Sequence, residues 1–112
     1  MSKDYMKVIV KQPNKSPTIV KIPKRLRDME RLVGGVVEEK RYENVLIIYN
    51  QKQNEKGLKV NQIFDDLSMR GTILITGNDE ENGDVMSLRK NEIVRFLKKI
   101  VFKKRNLENE IE

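Results

Sequence analysis

The sequence is most informative at residues 45–48, which read Val-Leu-Ile-Ile without an intervening polar residue. A strand with one face in water alternates apolar and polar residues, whereas a continuously apolar strand is typical of a position covered on both faces. Residues 72–76, Thr-Ile-Leu-Ile-Thr, give a second strand pattern between Gly71 and Gly77. Both runs therefore predict strands, and residues 45–48 predict a central one.

The flanking sequence predicts hairpins around these strands. Tyr5–Val10 and Thr18–Ile22 are β-branched runs joined by Gln-Pro-Asn-Lys-Ser-Pro, which is turn chemistry. Val36–Lys40 pairs in the same way with Val45–Tyr49, and Val85–Leu88 is a short partner for the strand at 72–76.

Two segments have helical spacing. Lys24–Val33 follows Pro23, which suits the first turn of a helix, and ends before Gly34-Gly35, where a left-handed cap is expected. The final helix is expected from Arg89 or Lys90 to about Lys104. Residues 58–70 fit either a short helix or an irregular packed loop.

Together these elements predict an α+β fold in a single domain, residues 1–112, with a mobile acidic tail at 106–112. A mainly antiparallel sheet of five or six strands would be packed by two helices, in the order β-β-α-β-β-(irregular)-β-β-α. The residues expected to be mostly buried are Val8, Val20, Ile22, Leu26, Leu32, Ile47, Ile73, Ile75, Ile93, Leu97 and Ile100.

The composition excludes several classes of function. The chain has no cysteine and no histidine, so the usual ligands of zinc, iron–sulfur and haem sites are missing, as are cysteine nucleophiles and histidine bases. No apolar stretch approaches the roughly 20 residues that a membrane span needs. We therefore expect a cytoplasmic, non-enzymatic protein with no cofactor, no metal site and no membrane partner.

The net charge of +6 is unevenly distributed. Residues 1–31 hold nine Lys or Arg against three acids, and residues 89–105 hold eight against one. Residues 32–88 between them hold six against ten. Two basic regions around an acidic middle indicate either a polyanionic partner or simply a solvated surface.

The final helix supplies the candidate binding surface. At about 100° per residue, Ile93, Phe96, Leu97 and Ile100 share an apolar stripe, but Phe102 points nearly opposite. An aromatic ring among cations suits a protein interface or a nucleic-acid platform, unless it packs under the tail against Leu107 or Ile111. The candidate partner-binding residues are Arg95, Lys98, Lys99, Phe102, Lys103 and Arg105.

Three other kinds of motif do not fit a metal-binding or catalytic site. A calcium loop with Gly83 sixth would place Arg89 at the twelfth position, where a bidentate Glu is required. Ser87–Lys90 matches S-x-x-K without its companion elements, so Ser87 is expected to end a strand or cap the helix. Glu38-Glu39 would point to opposite faces of a strand, and Asp65-Asp66 lacks further acids.

The order and spacing of several short segments resemble a family catalogued as domain of unknown function 3846. The segments are Met6–Val10, Ile22-Pro23, Leu32–Gly35, Gly57-Leu58 with Asn61, Gly71–Gly77, and Ser87-Leu88 before a closing helix. The resemblance spans roughly Met6 to Phe102 and implies a small protein of Gram-positive bacteria, their phages or plasmids, without catalytic residues.

We therefore expect a non-enzymatic interaction protein of a phage or mobile element that binds and modulates a host macromolecule, with counter-defence as one role. A host protein is the first expected partner. The alternative is a small basic accessory protein that binds nucleic acid through its N-terminal region and its C-terminal helix. The sequence does not define the oligomeric state.

Overall fold

The computed structural model describes residues 4–55 and 57–100 as one α+β arrangement. In chain order the elements are β1 (Tyr5–Lys11), β2 (Thr18–Pro23), α1 (Leu26–Val33), β3 (Val37–Tyr42), β4 (Val45–Asn50), β5 (Val60–Phe64), β6 (Leu67–Arg70), β7 (Ile73–Asp79), β8 (Asp84–Met86) and α2 (Lys90–Lys99). The two helices and the largely antiparallel strands confirm the predicted fold class.

Six of the strands form one antiparallel sheet. Its order is β2-β1-β7-β4-β3, and β8 pairs with the C-terminal part of β7, residues 77–79. The two apolar runs of the sequence lie side by side near its centre, with Ile47 opposite Ile75 and Ile48 opposite Leu74. Residues 45–48 are buried, as expected for a strand that is covered on both faces.

The sheet separates two cores, and strand alternation decides which side chain enters which core. On one face, called here the α1 face, Met6 and Val8 pack with Met29 and Val33 of α1. On the opposite face, called the α2 face, Ile9 belongs to a cluster that also holds side chains of α2 and of the β5–β6 segment. That second cluster contains Ile47, Ile75, Ile63, Phe64, Met69, Phe96 and Ile100.

Residues 58–70 are neither a helix nor an irregular loop, which corrects the sequence interpretation. They form a separate two-stranded hairpin, β5–β6, whose register shifts between Gln62 and Phe64. This irregularity breaks the alternation by which a strand is recognised. The hairpin is fixed to the sheet through buried Asn61, whose Nδ2 donates to the carbonyl oxygens of Lys11 at 2.8 Å and Gly71 at 2.7 Å.

Helix α1 is shorter than expected and buries fewer residues. Met29 and Val33 are buried, but the predicted core residues Leu26 and Leu32 are exposed, at 58% and 37%. An eight-residue helix has only about two turns, and Leu26 at its first position and Leu32 lie to either side of the stripe that Met29 and Val33 bury. Gly34, at φ 84°, ends the helix in the left-handed conformation.

The remaining core predictions divide into two groups. Val8, Ile22, Ile47, Ile73, Ile75 and Ile100 are buried, whereas Val20, Ile93 and Leu97 are only half-buried. Helix α2 packs chiefly through Phe96, which is fully buried. It begins where the Arg89 N–H donates to Glu92 Oε1 at 2.8 Å. The helix ends at Lys99 and Ile100 is extended, with ψ at 130°, so the predicted unbroken helix to about Lys104 is wrong. Residues 101–112, with the tail predicted at 106–112, lie outside the described residues.

Candidate functional site

The predicted binding surface on the final helix is only partly described, and two of its three described cations have structural partners. Arg95 forms an ion pair with Glu43 Oε1, and Lys99 Nζ lies 3.4 Å from Glu43 Oε2. Lys98 is exposed. The other predicted members, Phe102, Lys103 and Arg105, lie outside the described residues.

Lys99 also contacts the aromatic part of the core. Its Nζ lies 5.6 Å from the ring centroid of Tyr42 and 5.7 Å from that of Phe64. These two rings are stacked at 4.5 Å. The hydrogen bond to Glu43 raises the pKa of Lys99. Arg95 and Lys99 therefore attach α2 to the β3–β4 turn, which limits their availability to a partner.

The remaining polar motifs have local structural roles. Ser87 follows β8, and its Oγ accepts a hydrogen bond of 2.9 Å from the Lys7 N–H of β1. Asp66 lies in the β5–β6 turn, where Oδ1 accepts a hydrogen bond of 2.9 Å from the Tyr42 hydroxyl. Burial, followed by this bond, raises the pKa of Tyr42. Neither residue is arranged for the chemistry considered above.

The acidic loop is a β-hairpin turn between β7 and β8. Asp79 accepts from the Asn82 side-chain amide at 2.8 Å, which is the main cause of the lowered pKa of Asp79. Gly83 makes the turn at φ 64°. An open cleft of about 490 Å³ lies beside this loop and Arg89. Within residues 4–55 and 57–100, no three acidic side chains are grouped closely enough to hold a metal ion.

A different surface combines exposed apolar groups with exposed cations. It consists of Tyr5 and Lys7 on β1 and Ile19 and Lys21 on β2, and is called here the β1–β2 patch. Strand alternation places all four side chains on the α2 face, opposite the buried Met6, Val8 and Ile22. Tyr5 is 45% exposed and Ile19 is 47% exposed. This part of the sheet thus presents apolar surface to water.

The antiparallel register brings the charges of the patch together. Lys7 lies directly opposite Lys21, and Ile9 lies opposite Ile19. Like charges at directly opposite positions destabilise a strand pair. Lys21 Nζ lies 6.0 Å from the ring centroid of Tyr5, at the outer limit of a cation–π contact. The patch is thus an apolar and aromatic surface with two adjacent lysines, Lys7 and Lys21, that form no ion pair with the described residues.

Lys11 shows where this surface ends. It lies on the same face of β1 as Lys7 but is only 3% exposed. Its Nζ donates to the Gln12 carbonyl oxygen at 2.8 Å and to Asn61 Oδ1 at 3.1 Å. Burial lowers the pKa of this amine. The β5–β6 hairpin therefore covers the Lys11 end of β1, whereas the Tyr5–Lys7 end is open.

The sequence indicated the basic N-terminal region but not this patch. The alternation in β1 and β2 was visible, with Tyr5 and Lys7 on one side of β1 and Met6 and Val8 on the other. Alternation alone does not say how much of a sheet face is covered by the helices and hairpins that pack on it. The exposure of Ile19 depends on where α2 and the β5–β6 hairpin lie.

Neither helix of the described chain is long and apolar enough to cross a membrane. No curated protein and no solved structure matches the sequence. One family model does match, described as "Domain of unknown function (DUF3846)", and it covers residues 6–101 of the 112. The match runs from Met6 of β1 through α2 and therefore includes all of the sheet except Tyr5. The chain therefore belongs to the DUF3846 family.

Proposed function

We propose that this protein is a non-enzymatic interaction protein of a phage or other mobile element, acting in the cytoplasm on a host protein. The observation that carries the proposal is the β1–β2 patch, in which exposed Tyr5 and Ile19 lie beside Lys7 and Lys21. The mobile-element origin follows from the family resemblance.

The chemistry of the patch fits a protein interface. Aromatic anchors next to polar or charged rim residues are typical of binding hot spots, and aliphatic contacts fill the space around them. Ile19 has no role in base stacking or phosphate binding, but it can bury its side chain against an apolar residue of a protein. The paired lysines favour an acidic partner surface because their mutual repulsion falls when an opposite charge approaches.

The absence of cysteine and histidine from the sequence supports the non-enzymatic part of the proposal. The hydroxyl of Ser87 is engaged by the backbone of Lys7. Asp66 accepts a hydrogen bond from the Tyr42 hydroxyl, and Glu43 forms an ion pair with Lys99 of α2. These two carboxylates therefore hold turns and a helix in place.

A pull-down from a Gram-positive host lysate tests the proposal. The immobilised full-length protein should capture a host protein both with and without nuclease treatment. The double variant Lys7→Gln/Lys21→Gln and the variant Tyr5→Ala should each lose that capture. The matched control is Lys52→Gln/Lys59→Gln, which removes the same charge from exposed positions outside the patch. Equal capture by patch and control variants would contradict the proposal.

Nucleic-acid binding is the second candidate function, and Tyr5 favours it. An exposed aromatic ring on a sheet, with lysines beside it, is how many single-strand binders stack a base and hold its phosphate. For that partner, capture would be sensitive to nuclease. Affinity for a single-stranded oligonucleotide would fall with salt by about 0.7 log unit per log unit of salt for each phosphate contacted.

A further inference from the structure

The outer edge of β2 adjoins the β1–β2 patch, and its backbone groups have no partner among residues 4–55 and 57–100. β2 is the outermost strand of the sheet order, and among the described strands it pairs only with β1. The Lys24 N–H donates to the Asp4 carbonyl at 2.8 Å, which extends the β1–β2 register by one pair. Hydrogen-bonded pairs alternate along an antiparallel ladder.

This alternation fixes which groups of β2 point away from β1. The pairs that bond across the ladder include Met6 with Ile22 and Val8 with Val20, so Ile19 and Lys21 direct their N–H and C=O groups to the outer edge. The backbone bonds of Lys7 confirm this alternation, because they point away from β2. The Lys7 N–H donates to Ser87 Oγ and its carbonyl accepts from the Leu88 N–H at 2.9 Å, on the side of β1 away from β2.

The two edges of the sheet differ in the number of charges that they carry. The exposed central positions of β3 are Glu38, Glu39, Lys40 and Arg41, so that edge carries four charges of both signs. Charged side chains on an edge strand oppose pairing with another chain. The four central positions of β2 are Ile19–Ile22, and Lys21 is the single charge among them. Pro23 removes a donor at the end of this edge, but Ile19 and Lys21 keep theirs, so the β2 edge is better suited to a further strand than the β3 edge is.

From this geometry we infer that the partner adds an extended segment with alternating acidic residues as a new strand on the outer edge of β2. This inference rests on the proposed function and names the chemistry of its partner. A residue paired with Lys21 would lie on the α2 face next to Lys21, with Lys7 one strand further away, so a carboxylate there would reduce the repulsion between the two lysines. Because the acids alternate, the residue paired with Ile19 is acidic too, and the methylene groups of a glutamate would cover the exposed Ile19 side chain. Backbone bonds would supply affinity and the lysines would supply specificity.

Hydrogen exchange with a defined probe tests strand addition. The probe is a blocked seven-residue peptide in which glutamate alternates with valine, and its matched control replaces each glutamate with lysine. Added to the full-length protein, the glutamate probe should slow exchange of the Ile19 and Lys21 amides. The Val20 and Ile22 amides already bond to β1 and should change little. Equal binding of both peptides, or no binding of the glutamate probe, would overturn the inference.

Substitutions at Ile19 separate backbone pairing from side-chain contact. Ile19→Pro removes an outward N–H without removing a bond to β1, and proline is tolerated on edge strands. The proline should weaken probe binding by about tenfold or more, because the hydrogen bond from the residue 19 N–H to the probe is lost and the adjacent backbone bond to the probe is disturbed. Ile19→Ala keeps the N–H and should weaken binding by less than about threefold.

Exchange at Val8 and Val20 verifies that β1 and β2 remain paired in the proline variant. Equal binding by Ile19→Pro and Ile19→Ala would refute strand addition while leaving the patch as an interface. Failure of the proposed function would look different, because the glutamine variants of Lys7 and Lys21 would then capture the host protein as well as the unchanged chain does.

Discussion

Lys7 and Lys21 lie directly opposite each other across β1 and β2, with both side chains exposed on the α2 face. Such a pair is unfavourable for the isolated sheet and favourable for binding an anion. Under the proposed function, stability and partner binding would therefore be opposed at this pair of residues. Charge reversal at one of the two positions separates these effects.

Lys21→Glu should stabilise the fold and abolish partner binding. The change converts a repulsive cross-strand pair into an attractive one, which is worth about 0.2–1 kcal/mol in the free energy of unfolding. Urea denaturation measures the stability and the host-protein pull-down measures the binding. Lys52→Glu makes the same change of charge at an exposed loop position and should affect neither by a comparable amount. A destabilised Lys21→Glu variant would show that Lys21 has a favourable structural contact instead.

Phe96→Ala should destabilise the fold by about 3–5 kcal/mol, through lost apolar transfer and the cavity left behind. Phe96 is fully buried between the sheet and the β5–β6 hairpin, where its ring centroid lies 5.7 Å from that of Phe64. Val94 on the same helix is 50% exposed, so Val94→Ala should cost less than about 0.5 kcal/mol. Similar costs for the two variants, measured by urea denaturation, would mean that α2 does not pack through Phe96.

Asn61→Ala should cost about 2–4 kcal/mol because it removes three buried hydrogen bonds. The carbonyl oxygens of Lys11 and Gly71 would lose their donor, and Lys11 Nζ would lose an acceptor. Gln53→Ala is a useful comparison, since the described bond of its side chain is the one that Oε1 accepts from the exposed Arg70 N–H. Hydrogen exchange should show β5 and β6 opening before the main sheet in the Asn61 variant. Uniform protection across both sheets would argue against Asn61 as the anchor of the hairpin.

Glu43 has a positive φ of 55° in the β3–β4 turn, which is unusual for a residue with a long side chain. Glu43→Asn and Glu43→Gln both remove the charge that pairs with Arg95 and Lys99, but asparagine tolerates the left-handed conformation better. We expect the asparagine variant to be more stable than the glutamine variant by about 0.5–1 kcal/mol. Thermal unfolding of the two amides side by side gives the comparison. Equal stability would show that the turn relaxes around residue 43.

Lys11 predicts a pH dependence of stability in the alkaline range. Burial lowers its pKa in the folded protein, so between that value and about 10.4 the unfolded chain binds more protons. Stability contributed by this group therefore rises with pH through that window. Lys11→Met lacks the ionisable amine, so the difference in unfolding free energy, variant minus unchanged chain, should fall as pH increases toward 10. A difference independent of pH would mean that Lys11 keeps its ordinary pKa.

The sequence determined the sheet of this protein because its strands satisfy local rules. Residues 45–48 have no polar residue at either alternating position, which is typical of a strand that is covered on both faces. In the structure Ile47 and Ile48 are buried on opposite faces of the sheet. The helix end at Gly34 was also readable, because a left-handed cap has a strong preference for glycine.

Only the tertiary structure decided what lies over each face. The β5–β6 hairpin was hidden because its short strands and shifted register give no regular period. Arg95 and Lys99 looked available for binding along the helix, but the β3–β4 turn brings Glu43 to both of them. Lys7 and Lys11 of β1 point to the same face of the sheet, yet of these two the β5–β6 hairpin covers Lys11 alone. Alternation fixes the direction of a side chain, and the packing of distant elements decides whether water reaches it.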